Sequence, residues 1–135
     1  MLAQTNDQMQ LTREAAKANK KLIVSDNMNL TEEEAKNFWP VYDKYQKDLG
    51  AVYERAGKAI KSYAEKYNPL SDEDAKTLLD EIITVNEGRL KLQRSYLPKF
   101  DKVLPTKKVA RYYLVENKLD AILRYDLARG IPLVK

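Results

Sequence analysis

From Ala35 to Tyr67 apolar side chains recur at alternating steps of three and four: Ala35, Phe38, Tyr42, Tyr45, Leu49, Val52 or Tyr53, Ala56, Ile60, Tyr63 and Tyr67. A repeat of about 3.5 residues holds one stripe on one side of a slightly overwound helix, so this row asks for long helical partners. Straight, a helix from Thr31 to Tyr67 measures about 54 Å, whereas a compact domain of this size is about 37 Å across. The chain is therefore expected to be elongated.

The rest of the sequence agrees with helix. No stretch shows sustained two-residue alternation, and 4 glycines in 135 residues leave few natural breaks. A first helix is expected over Leu11 to Val24, with the thin stripe Leu11, Ala15, Ala18 and Leu22, ended by Ser25-Asp26-Asn27 and preceded by a disordered segment over residues 1 to 10. Leu30-Thr31-Glu32-Glu33-Glu34 opens the second helix as a capping box, in which Thr31 accepts from the Glu34 amide and Glu34 reaches back. Asn68-Pro69 stops it. Leu70-Ser71-Asp72-Glu73-Asp74 opens a third helix with the shorter Asp74 in the glutamate position, and its expected stripe is Ala75, Leu79, Ile82, Leu97, Phe100 and Leu104. A fourth follows Leu104-Pro105-Thr106, with Val109, Tyr112, Leu119, Leu123 and Leu127 on one face and Gly130 at its close. Pro40 and Pro98 each free a carbonyl one turn back, and kinks are expected there. The fold class is all-α: one domain over residues 1 to 135, about four helices with two or three long ones, arranged as an antiparallel hairpin or open bundle.

Composition narrows the chemistry. The chain has no histidine and no cysteine, which removes the usual zinc ligand sets, Ser-His and Cys-His nucleophiles and disulfides. Glu32-Glu33-Glu34 and Asp72-Glu73-Asp74 are the acidic clusters, but consecutive helical residues point about 100° apart and cannot converge on an ion. Helix capping accounts for both. The reading is a non-enzymatic protein with no cofactor, no metal and no transmembrane segment.

Three constellations are candidates for binding or for register. Asn86, Arg89 and Gln93 share the apolar side of the third helix, and Glu116 lies between Tyr112, Leu119 and Leu123 on the fourth. If the chain reverses near Leu104-Pro105, antiparallel pairing sets Gln93 level with Glu116 and Arg89 level with Asp120. The result is a polar layer that fixes register or lines a cleft. Lys107, Arg111, Lys118 and Arg129 fall in one sector of the fourth helix together with Tyr125, a basic ridge in a segment carrying seven basic and three acidic residues. Nine tyrosines against two phenylalanines leave many hydroxyls in need of partners, so the stripe around Tyr42 and Tyr45 suits a half-exposed wall. Phe38 and Trp39 stand beside it. The apolar tail Ile131-Pro132-Leu133-Val134 is expected to fold back over a groove or to dock on another subunit.

The two helix-opening boxes, about 40 residues apart, resemble the paired LTxxQ motifs of the Spy/CpxP family of small bacterial periplasmic proteins, with Glu34 and Asp74 in place of the motif's Gln. The resemblance spans residues 10 to 129. It implies long helices forming a curved antiparallel homodimer, and ATP-independent chaperoning or envelope-stress sensing. On that footing Met1-Leu2-Ala3-Gln4 is read as the remnant of an export signal and the compartment as periplasmic, with a cytoplasmic protein as the alternative. Candidate contacts for unfolded or partner proteins are Phe38, Trp39, Tyr42, Tyr45, Lys107, Arg111, Lys118 and Arg129. The alternative functions are an assembly module with one dedicated protein partner, and a weak binder of anionic surfaces or nucleic acid, without sequence specificity, through the basic helix.

Overall fold

A computed structural model describes the backbone of residues 6 to 135 and the side chains of residues 17 to 135. Among the described residues the chain forms four α-helices and no strand: α1 (Asn6–Met28), α2 (Glu32–Lys66), α3 (Asp72–Asp101) and α4 (Thr106–Arg129). The 35 residues of α2 make it about 52 Å long and the 30 of α3 make it about 45 Å. Both helices run unbroken through Pro40 and Pro98, where the sequence predicts interruptions. Among the described residues no helix is long and apolar enough to cross a membrane.

Local signals set most of the boundaries. Thr31 Oγ1 accepts from the Glu34 amide at 3.1 Å and Glu34 Oε1 accepts from the Thr31 amide at 2.9 Å, a complete capping box. Ser71 makes only the forward bond, from the Asp74 amide at 3.1 Å, because the aspartate is one methylene shorter than the arm the motif uses. Gly130 caps α4 at φ −87°, without the left-handed turn often used at a helix end.

The first boundary differs from expectation. Ser25, Asp26 and Asn27 are helical and α1 runs on to Met28, after which Asn29 takes a left-handed φ of 51°. The carbonyls exposed at this end are claimed from outside, Asn27 by Arg111 Nε at 2.5 Å and Asn29 by Lys108 Nζ at 3.0 Å. At its start α1 takes in residues 6 to 10 of the segment expected to be disordered, whereas residues 1 to 5 and the stripe side chains Leu11 and Ala15 lie outside what the structure describes.

The partners give the directions. α2 and α3 pack antiparallel across the Tyr67–Ser71 turn, α3 and α4 antiparallel across Lys102–Pro105, and α1 antiparallel to α4, with Asn27 beside Arg111 and Lys20 beside Glu116. All four helices meet at one end. There Val24 and Met28 of α1, Phe38, Tyr42, Tyr45 and Leu49 of α2, Tyr96 and Phe100 of α3, Leu104 and Val109, and Tyr112 of α4 form the core. α1 therefore buries Val24 and Met28 and leaves Leu22, a member of its expected stripe, exposed. The same inversion affects α3, where Phe100 is fully buried but Leu79, Ile82 and Leu97 are exposed.

This distribution sets a stability contrast. Phe100→Ala is expected to cost about 3–5 kcal/mol and Leu79→Ala no more than about 0.5 kcal/mol, although both belong to one sequence stripe. Denaturant midpoints of the two variants check it.

Candidate protein-binding surface

The candidate residues separate into a closed set and an open one. Phe38, Tyr42 and Tyr45, expected as contacts for other proteins, are buried in the aromatic core. Phe38 packs against Phe100 at 5.7 Å and Tyr112 at 5.1 Å, and Tyr45 packs against Tyr96 at 5.0 Å. They are structural. Trp39 is half-buried, set edge-on to Phe38 at 4.9 Å and covered by the Lys21 ammonium 5.1 Å from its ring.

The tyrosine hydroxyls explain how so many phenols tolerate burial. Tyr96 donates to Asp48 at 2.5 Å, Tyr112 to Glu116 at 2.8 Å, Tyr113 to the Gln93 carbonyl at 2.7 Å, and Tyr53 to Asp120. Tyr63 and Tyr67 donate to the Pro132 and Leu133 carbonyls at 2.8 and 2.6 Å, so the C-terminal tail does not turn back but continues past Gly130 onto the C-terminal end of α2. It is held by its backbone, and Leu133 and Val134 remain exposed. Burial pushes the phenols of Tyr96 and Tyr113 up to about 12, reinforced by the Asp48 and Asp101 carboxylates, and raises those of Tyr42, Tyr45, Tyr53 and Tyr112 as well.

Between α1, α2, α3 and α4 lies a polar layer. Glu116 is buried and accepts from Lys20 at 3.0 Å, Gln46 Nε2 at 2.7 Å and Tyr112 Oη at 2.8 Å. Asp120, equally buried, meets Arg124 at 3.0 Å, Arg89 at 3.6 Å and Tyr53 Oη. Arg89 and Asp120 stand level as the antiparallel reading places them, and Gln93 lines the same small cavity as Glu116. Asn86 does not join: it is exposed, one turn beyond the layer. The cation on Glu116 comes from Lys20 of α1, a residue that α4's own pattern could not point to. Every described buried side-chain polar atom has a partner, the condition under which such a layer is tolerated between helices.

Two members of the basic ridge are engaged. Arg111 caps α1, and Arg129 stands 3.9 Å from Asp126, while Lys107 and Lys118 are exposed. Lys108, outside the expected ridge, binds Glu34 at 2.5 Å and with the Thr31 amide holds that carboxyl below its ordinary value.

What remains open is apolar. Leu79, Ile82, Ile83, Leu90 and Leu97 form an exposed row on α3, with Leu79 at 60% and Ile83 at 55% of full exposure. Taking the Arg89–Asp120 pair as register, Ile82 and Asn86 stand level with Leu127 and Leu123 of α4, and those leucines are also exposed. α3 and α4 therefore share a solvent-facing apolar surface beyond the polar layer. Single exposed leucines are ordinary, whereas exposed apolar residues grouped on neighbouring helices are not the usual surface of a monomer. Leu79, Ile82, Leu97, Leu123 and Leu127 lie on the stripes expected from the sequence and Ile83 and Leu90 do not; periodicity identifies a face without saying what covers it. Among the described residues no cluster of three acidic side chains converges to hold a metal ion. Comparison of the chain with protein-family models, curated proteins and solved structures finds no match.

Two outcomes follow. Glu116→Ala leaves Gln46, Tyr112 and the half-buried Lys20 without their carboxylate partner and is expected to cost about 3 kcal/mol, and replacing Lys20 and Glu116 together by Met and Leu to recover most of it; thermal melts of the three chains check this. The raised phenols favour the protonated native state, so their contribution is complete below the unfolded tyrosine value of about 10 and is lost as pH climbs through the native values. Phenolate absorbance of the native chain is expected to lag well behind that of the urea-unfolded chain and to rise together with loss of helical circular dichroism.

Proposed function

We propose that this chain is a non-enzymatic, ATP-independent binding protein that holds other polypeptides on the apolar surface shared by α3 and α4. The observation that carries the reading is the exposed row Leu79, Ile82, Ile83 and Leu90 continued by Leu123 and Leu127. Leaving that much aliphatic surface in water is unfavourable by roughly 25 cal/mol per Å2, and unfolded clients, which expose the same chemistry, relieve it. The contacts move from the aromatic residues around Phe38 to the aliphatic residues of α3 and α4. The likeness of Leu30-Thr31-Glu32-Glu33-Glu34 and Leu70-Ser71-Asp72-Glu73-Asp74 to LTxxQ motifs supports a chaperone-like or stress-related role in the bacterial periplasm, and a homodimer, as parts of the same proposal.

A second reading draws on Asn86. One polar residue within an exposed apolar row is a device by which paired helices fix their register, which favours one dedicated helical partner.

Light scattering of a chemically unfolded, aggregation-prone protein separates the two. Suppression near a one-to-one ratio without ATP, lost in Leu79→Ser/Ile83→Ser while the helical spectrum is unchanged, is the expected result. No suppression even at large excess removes the chaperone reading and leaves the dedicated partner.

A further inference from the structure

The excess of positive charge in residues 105 to 135 acquires a direction from the fold. Of the three acids in that segment, Glu116 and Asp120 turn inward and are consumed by Lys20, Arg89 and Arg124. Only Asp126 faces solvent, beside Arg129. The outward side of α4 keeps its cations and loses its anions.

That side is a single stripe. Lys107, Arg111, Leu114, Lys118, Ile122, Tyr125 and Arg129 recur at steps of four and three, which confines them to a sector of about 80° along about 33 Å of helix. All seven are exposed, and the three apolar members are among the most exposed large apolar side chains of the chain: Leu114 at 62%, Ile122 at 60% and Tyr125 at 67%. Among the described residues Lys107 and Lys118 make no ion pair, although carboxylates are abundant elsewhere on the surface. The chain thus presents cations and aliphatic side chains interleaved on one convex ridge, away from the α3 row.

We propose that the outer face of α4 docks on an anionic phospholipid bilayer. The interface of such a bilayer offers both chemistries at one depth: phosphates for Lys107, Arg111, Lys118 and Arg129, and the headgroup–acyl boundary just beneath for Leu114, Ile122 and the Tyr125 ring. Nucleic acid matches the cations but gives Leu114 and Ile122 nothing to enter, and the ridge has no groove to grip a single strand. A bilayer is also soft enough to touch the full length of a convex helix. Docking through α4 leaves the α3 row available, so this inference stands or falls independently of the proposed client surface.

Co-sedimentation of the full chain with vesicles of phosphatidylcholine alone, or with added phosphatidylglycerol, tests it. Binding is expected only with the anionic lipid, weakening as salt shortens the screening length. Lys118→Glu is expected to reduce binding about tenfold or more. Lys61→Glu, the same charge change on the exposed side of α2, is expected to leave it within about twofold. Leu114→Ser/Ile122→Ser is expected to weaken binding with an unchanged salt slope, the mark of lost insertion. Equal losses from Lys118→Glu and Lys61→Glu would reduce the effect to net charge and overturn the proposal. Binding to phosphatidylcholine alone of the same strength would do so as well. So would displacement from the vesicles by a single-stranded oligonucleotide or by polyglutamate at the same charge concentration, each pointing to another class of partner.

Discussion

Phe100 touches five aromatic rings, those of Phe38, Tyr45, Tyr96, Tyr112 and Tyr113, at centroid distances from 4.9 to 6.2 Å. These rings come from α2, α3 and α4, and Val24 and Met28 of α1 join the same cluster. Tilted and edge-on pairs each add about 0.5–1.5 kcal/mol beyond the area they bury, and no other part of the chain concentrates them. The four helices are joined mainly here, at the end where α1 hands over to α2 and α3 to α4. Farther out α2 and α3 stay packed on each other, α4 and its tail run beside them as far as Tyr67, and Leu79, Ile82, Leu123 and Leu127 are exposed.

The electrostatic design follows from that geometry. α4 leaves the aromatic cluster with Glu116 and Asp120 one turn apart on its inward face, where the helices are still close enough to bury them. Lys20, Gln46, Arg89, Arg124, Tyr53 and Tyr112 surround these carboxylates, which is the condition under which a buried carboxylate is tolerated. One consequence reaches the opposite face: acids committed to the interior no longer balance the outer lysines and arginines. Past the layer, residues that continue the inward stripes, Leu123 and Leu127 on α4 and Ile82 on α3, are exposed. Polar layer, open apolar surface and basic ridge are three results of one helical arrangement.

Much of this was legible residue by residue. Thr31 and Glu34 announced the start of α2 because capping is a contact between neighbours in the chain, and Arg89 with Asp120 could be aligned once a reversal near Pro105 was assumed. The failures share a cause as well. Leu22, Leu79 and Leu123 lie on the stripes expected from periodicity yet are exposed, while Val24 falls off the first stripe and Met28 lies past the stop expected at Ser25-Asp26-Asn27. That stop is overridden by Arg111 and Lys108, more than 70 positions away, which take the carbonyls at the end of α1. Tyr42 and Tyr45 are expected to be half-exposed because their hydroxyls need partners, yet their rings are buried against Tyr96, Phe100 and Tyr112, on helices whose approach no local pattern describes.

The sequence by itself determined that this chain is helical, where most of its helices begin and end, that two of them are too long for a compact globule, and that histidine and cysteine chemistry is absent. Those properties depend on contacts within a few residues or on composition. Only the tertiary structure decided which apolar stripe is core and which is surface, which carboxylates are neutralised inside, and hence which face of α4 keeps its cations in excess. A helix presents every side chain somewhere on its circumference, and whether a given face meets water or another helix is fixed by the distance to a partner that lies elsewhere in the chain.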